Sequence, residues 1–266
     1  MPDVTDHVIV VRGGGDIGSG VIWRLRRVGF RVVVTELERP LTIRRTVAFS
    51  TAVTEGSITI EGIDGVHVAT PIEALDVAAT GSVPVLISPD LPDVGASVVV
   101  DARLAKRNLG TSRGQAPFVV ALGPGFSAGD DCDAIVETMR GHDLGRVIWD
   151  GSAAPNTGVP GMIGGESGKR VIHAAHNGAL SWDVRFGDVV NEGHQLGRID
   201  DTPVCSKITG TVRGLLTDGP VTRGLKIADV DPRFDPSAVG RVSDKSLSVG
   251  GGVLEAVLVW HDSQRR

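Results

Sequence analysis

The stretch Arg12-Gly13-Gly14-Gly15-Asp16-Ile17-Gly18-Ser19-Gly20 constrains this chain more than any other part of it. It follows the apolar run His7-Val8-Ile9-Val10-Val11 and leads into Val21-Ile22-Trp23-Arg24-Leu25, so a buried strand runs into a glycine turn and then a helix. Gly13, Gly15 and Gly18 have the G-x-G-x-x-G spacing. The first glycine makes the tight turn, the second lets a pyrophosphate approach the backbone, and the third lets helix and strand pack closely. The unpaired amides and positive dipole end of that helix form an anion site. A second apolar run, Val32-Val33-Val34, ends in Thr35-Glu36, and Glu36 lies roughly 18 residues past Gly18, near the spacing of a ribose-binding carboxylate. These features predict a Rossmann-type βαβ start with a nucleotide-like ligand. The same glycines also serve a turn and its packing alone, so an inherited fold with an altered or empty site stays open beside it.

With 266 residues the chain is long enough for one large or two small domains. Its 36 glycines and 14 prolines imply many turns and few long helices. A net charge of -5 offers no general attraction for nucleic acid or an anionic membrane surface. Cys132 and Cys205 form no CxxC pair, which suits a reducing cytoplasm. The N-terminus shows no basic region followed by an apolar core, and no run reaches the length of a membrane span, so a soluble cytoplasmic protein is expected. Tyrosine is absent, which excludes any mechanism with a tyrosine acid or base.

Along the chain, Pro40 followed by Leu41, Ile43, Val47 and Phe49 predicts a short helix, with Arg44 and Arg45 near its exposed side as a solvated face or an anion clamp. Residues 57–101 alternate short β-rich runs with Gly and Pro, and Thr70-Pro71-Ile72-Glu73 has the cap, proline and acid of a helix start. Asp90 and Asp101 end apolar runs, at the strand edge where open sheets collect ligands. Arg103, Lys106 and Arg107 then place three cations close together, as a surface face or as a phosphate or carboxylate site. The strand Phe118 to Leu122 leads into a second glycine loop with Gly123 and Gly125, a ligand wall or a tight turn. Residues 132–142 are expected to be helical, with a stripe at Ile135, Val136 and Met139.

From about Arg170 to Val230 the predicted strands are short and evenly spaced. The order GDVVNEG, GTVRGLL and DGPVTRG resembles biotinyl/lipoyl-type barrel-sandwich domains, without the lysine-bearing hairpin tip that would carry a prosthetic group. His173 and His176, three apart on a strand, would point to opposite faces, and no metal site is expected. The fold class expected is α/β: a Rossmann-like, mostly parallel sheet over residues 1–165, a small all-β barrel-sandwich over 166–235, and a terminal segment, 236–266, packing back on the first.

Taken together, Arg12 to Gly20, TELERPLTIRRTVAFSTA from Thr35, GPGFSAGDDCDAIVETMRG from Gly123, Asn156 to Gly161 and GLKIADVDPR from Gly224 resemble the YqeB family. These are accessory proteins of selenium-dependent molybdenum hydroxylase systems. Their glycine-turn domain is similar to the Rossmann-like half of the xanthine dehydrogenase accessory family, held to bind molybdenum cofactor and support its maturation and insertion. The resemblance implies a pterin-nucleotide ligand, molybdopterin or its cytosine dinucleotide, at Gly13, Gly15, Asp16, Gly18 and Glu36. Arg44, Arg45, Arg103 and Lys106 are then candidate phosphate partners. Arg12, Gly14, Ile17, Gly123 and Gly125 complete the candidate cofactor-binding set. The implied partner is a hydroxylase of the xanthine dehydrogenase type. No nucleophile and base pair is recognisable, so catalytic residues are not assigned. Two other readings are an NAD-dependent oxidoreductase with Glu36 on the adenosine ribose, and a non-catalytic partner-docking protein.

Overall fold

The structure is a computed structural model and describes residues 3–158, 165–166 and 168–264. The Val159 to Gly161 part of the family motif therefore lies outside the described residues. The chain divides into two compact units: Met1–Pro40, Ala48–Asn156 and Val242–Arg266 form one, and Leu41–Val47 with Thr157–Arg241 the other.

The first unit is built on a nine-stranded sheet. Its strands in chain order are β1 Val8–Arg12, β2 Arg31–Glu36, β3 Ser57–Ile60, β4 Ile63–Val68, β5 Val83–Ile87, β6 Val98–Asp101, β7 Phe118–Leu122, β8 Ala134–Val136 and β9 Val147–Ile148. The helices are α1 Asp16–Arg27, the four-residue α2 Ala52–Glu55, α3 Pro71–Thr80 and the C-terminal α4 Asp244–Ser263. Across the sheet the order is β3-β4-β5-β2-β1-β6-β7-β8-β9. Residues of β1 alternate between two cores, as the two-residue period of a strand requires. Ile9 and Val11 face a cluster with α1 and α4, and Val8 and Val10 face one with Ala74 and Ala78 of α3 and Phe126. α3 begins as its sequence predicts, with the Thr70 side chain capping Glu73 N and Pro71 in the first turn.

The expected fold class is corrected by this topology. A Rossmann-like sheet needs a helix over each parallel crossover. Here β5 to β6, β6 to β7 and β7 to β8 are joined by helix-free loops, and β3/β4 and β8/β9 make both edges antiparallel. The sheet is mixed. Residues predicted as a helix over 132–142 instead supply β8, fully buried and parallel to β7. Nor do residues 40–49 form a continuous helix: Arg45–Val47 and Phe49–Thr51 are single 3-10 turns, and the Ile43 carbonyl accepts a hydrogen bond from Leu215.

The second unit holds β10 Val171–His173, β11 Gly178–Trp182, β12 Val189–Val190, β13 Gln195–Ile199, β14 Thr202–Cys205, β15 Gly210–Leu215, β16 Gly219–Val221 and β17 Lys226–Asp231. They form two four-stranded antiparallel sheets, β10-β17-β15-β12 and β14-β13-β11-β16, around a core that includes Ile172, Leu196, Ile199, Val212 and Ile227. The expectation of a biotinyl-like barrel is likewise corrected. Its Gly-Asp, Gly-Thr and Asp-Gly signals are hairpin punctuation that any antiparallel β unit uses, and they do not specify that barrel. No helix among the described residues is long and apolar enough to cross a membrane.

Candidate binding edge of the parallel strands

Chain order reverses at β1, with β2 on one side and β6 on the other. In an open parallel sheet, ligands collect at the carboxyl ends of such strands. Gly13 stands there with φ of 102°, a conformation that favours glycine. Its N–H donates to Thr35 O at 2.8 Å, and a Cβ on it would lie 3.1 Å from the Ala102 carbonyl group. Gly14 accepts from Ser50 N at 2.9 Å and Ser19 Oγ at 3.0 Å. Gly15 is the N-cap of α1, Ile17 is buried, and a Cβ on Gly18 would collide with the Gly13 carbonyl oxygen. The glycines at positions 13, 14 and 18 therefore let this chain pack on itself. Asp16 accepts from Ser246 Oγ at 2.9 Å.

Glu36 ends β2 as expected, but the structure gives it a partner that sequence spacing does not show. Its Oε2 accepts the Gly14 N–H at 2.8 Å and its Oε1 accepts the Leu37 N–H at 2.8 Å. Burial pushes the carboxyl above its ordinary pKa, against the two backbone hydrogen bonds that pull it down.

One strand further, Arg12 is buried and donates to Pro89 O at 3.1 Å, with Thr111 Oγ1 at 3.5 Å. Asp101, 2% exposed, accepts from Arg103 through both oxygens, at 3.1 Å and 2.6 Å, and from Thr111 Oγ1 at 2.6 Å. Burial alone would raise the Asp101 pKa, but hydrogen bonds from Arg103 and Thr111 and the charge of Arg103 hold it below the ordinary value. Arg12 is pushed below its usual value by burial and then by the neighbouring Arg103, against Asp101 and Asp90. Both guanidinium groups reach Thr111 Oγ1, Arg12 at 3.5 Å and Arg103 at 3.0 Å.

The loop after β6 carries Leu104 at φ 54° and Lys106 at φ 61°. Lys106 and Arg107 are exposed. Gly125, at φ 107°, lies under them: a Cβ there would come within 2.6 Å of Arg107 N and 2.8 Å of the Lys106 carbonyl carbon. The second glycine loop and the cationic loop, separate in the sequence, are in contact. Gly123 packs against the Thr138 side chain. Arg44 and Arg45 belong to the second unit. There Arg44 donates to the carbonyls of Ala238 and Arg241, at 3.2 Å and 2.9 Å, and Arg45 Nε donates to Leu215 O at 2.9 Å.

Sequence reasoning missed Thr111, Ser19, Ser246 and Glu137, all isolated residues without a spacing signal. Glu137, just past β8, is buried; Oε1 accepts from Thr138 and Met139 N at 2.6 Å and 2.7 Å, and Oε2 from Ala154 N at 2.7 Å. No group of three or more His, Cys, Asp or Glu among the described residues is placed to hold a metal. The hydroxyls at the edge are engaged: Thr111 donates to Asp101, and Ser19 donates to Gly14 O while accepting from Phe49 N at 2.9 Å. The arrangement equips the edge for binding: cations for an anion, and a carboxylate for a hydrogen-bond donor.

Comparison with known proteins gives a relative 46% identical over 257 residues, 95% of this chain: the uncharacterized protein YqeB of Escherichia coli K12. The chain spans about half the length of that relative, 48%. No protein-family model matches. Among solved structures, a succinylglutamate desuccinylase/aspartoacylase from Rhodobacter sphaeroides is 16% identical with a TM-score of 0.30, covering 86% of each chain. A succinylglutamate desuccinylase from a Silicibacter species is 13% identical with a TM-score of 0.26, covering 84% of each.

Proposed function

The similarity to YqeB along almost the whole chain supports the YqeB family for this protein, and from that premise we propose that it is an accessory factor for selenium-dependent molybdenum hydroxylases of the xanthine dehydrogenase type. It binds molybdenum cofactor, as molybdopterin or its cytosine dinucleotide, for maturation or insertion, in the cytoplasm. The observation that carries the binding reading is the cationic loop at the carboxyl ends of the parallel strands, where Arg103 is seated on Asp101 at 2.6 Å and shares Thr111 Oγ1 with Arg12. Lys106 and Arg107, exposed on the same loop as Arg103, extend the cationic surface to solvent.

The residues present fit a phosphorylated, donor-bearing ligand: cations stand on one side of the glycine turn and the Glu36 carboxylate on the other. The chain's own residues bind and orient such a ligand, and no bond-breaking step is assigned to them.

The test is anaerobic expression in a molybdenum-replete host, followed by mass spectrometry and absorption of what co-purifies. A pterin or its cytosine dinucleotide is the expected result. Recovering NAD overturns the proposal in favour of an oxidoreductase. A protein that arrives empty and fails titration with both ligands overturns it in favour of partner docking.

A further inference from the structure

Resting on that reading, we infer that the edge binds its ligand with the phosphate away from the glycine turn: Glu36 takes the hydrogen-bond-donating end, and Lys106 with Arg107 take the phosphate. In the usual use of this spacing, the pyrophosphate lies on the turn and the helix N-terminus. Here the Gly14 amide, 2.8 Å from Glu36 Oε2, already serves an anion. The other Glu36 oxygen takes the Leu37 amide at 2.8 Å, so the carboxylate is fixed rather than swinging. Asp16 adds a second carboxylate in the first turn of α1. A phosphate on this turn would meet the Glu36 carboxylate at short range, with Asp16, which accepts from Ser246 Oγ at 2.9 Å, in the same helical turn.

Each oxygen of a carboxylate has two acceptor positions. Gly14 and Leu37 use one apiece, and the remaining positions suit an amine, a ring N–H or a hydroxyl. A pterin or cytosine edge carries such donors. The cations stand on the other side of the turn. Arg103 is committed to Asp101, Thr111 and Leu109 O, at 2.6 Å, 3.0 Å and 3.2 Å, and serves to set the loop. Lys106 and Arg107 are exposed, and their backbone is seated on Gly125, where a Cβ would meet Arg107 at 2.6 Å.

The spacing is consistent with one ligand reaching both ends. Glu36 ends β2, and Lys106 and Arg107 rest on Gly125 in the loop after β7, with β1 and β6 between. Three strand spacings amount to about 15 Å. An extended nucleotide together with the reach of the Lys106 and Arg107 side chains covers that span.

The experiment is titration calorimetry of the full chain with two probe pairs: dihydroneopterin with its triphosphate, and cytidine with cytidine diphosphate. The readout is the ratio of affinities within a pair. The inference expects the phosphorylated member to bind more tightly to the wild type. The double variant Lys106→Ala/Arg107→Ala should cut that preference about tenfold or more while leaving the unphosphorylated member unchanged. Glu36→Gln should weaken both members of the pair by the same factor. Two results overturn it: a preference unchanged in the double variant, or Glu36→Gln tightening the phosphorylated member alone, as expected when the turn holds the phosphate. The cationic variant changes only exposed side chains, so the test survives if Glu36→Gln fails to fold. A wild type that binds none of the four probes overturns instead the reading on which the inference rests.

Discussion

Nε2 of His7 lies 3.0 Å from Nδ1 of His261, tying the residue before β1 to the last turn of α4. Both rings are buried, and Trp260 stands edge-on to His7 at a centroid distance of 5.1 Å. Such a pair needs one donor and one acceptor nitrogen, so it holds only while it is not doubly protonated. Burial lowers the His7 pKa from 6.5, the charge of His261 lowers it further, and Asp6 opposes both. Because the folded value lies below the unfolded one, the unfolded chain takes up the proton first as pH falls. Stability contributed here is present above the ordinary histidine value, and is lost from about pH 6.5 downward until folded His7 itself titrates. Melting curves from pH 8 to pH 5 should show this loss. His7→Gln should lower stability at pH 8 by about 1 kcal/mol and flatten the slope below pH 7. Equal slopes in both proteins would remove His7 as the cause.

The three glycines Gly250, Gly251 and Gly252 of α4 have different surroundings. A Cβ on Gly250 would collide with the Gly20 carbonyl of α1, and one on Gly252 with the Gly145 carbonyl, whereas nothing lies within 4 Å of Gly251. Gly250→Ala should therefore push α4 off α1 and cost about 1–3 kcal/mol. Gly251→Ala should be neutral or stabilise by about 0.5–1 kcal/mol, since alanine favours a helix interior. Thermal denaturation of the two variants side by side checks this, and equal losses would contradict the packing argument.

The same contrast shows what the sequence could convey. The turn after β1 was legible because its glycines recur at a spacing with few uses, and α3 because Thr70, Pro71 and Glu73 are each at a preferred cap position. The fold class was not, because the loops after β5, β6 and β7 carry no periodicity and nothing local reveals that they cross the sheet without helices. Ala134-Ile135-Val136 is a short apolar run whose neighbours decide its state; lying beside β7, it becomes a strand. Ile43 is drawn from a helix by pairing with Leu215, far along the chain. At the edge, Glu36 was visible as the acid ending β2, while its bond to Gly14 depends on a rotamer that spacing does not encode. Thr111 reaches Asp101 across ten residues and has no pattern of its own.

Cys132 is fully buried, and its thiol is pushed up to about 12 by burial and by the charges of Asp131 and Asp133. A thiol held protonated is a poor nucleophile, so Cys132 does not suit carriage of sulfur or selenium in the folded chain. Cys205 is exposed. Titration of the native protein at pH 8 with a chromogenic disulfide should find one fast thiol, lost in Cys205→Ser, and a second only after denaturation. Rapid reaction of Cys132 in the native protein would overturn this assignment.

Glu137 is a carboxylate whose work is to hold backbone. It lies at the carboxyl end of β8 and accepts three amide N–H groups: Thr138 and Met139 on Oε1 and Ala154 on Oε2. A neutral amide in its place has a donor where an oxygen stood, so Glu137→Gln sets an NH2 group against at least one backbone N–H and leaves that donor unsatisfied. The cost should be about 1–3 kcal/mol. Glu137→Ala removes all three acceptors and should cost more. Because Ala154 is held through a single oxygen, hydrogen exchange should show its amide losing protection in Glu137→Gln, while the ladder bonds of β7 keep theirs. Uniform loss across the sheet would mean that Glu137 supports the strand itself, and that the clamp between the turn after β8 and residue 154 is not its main role.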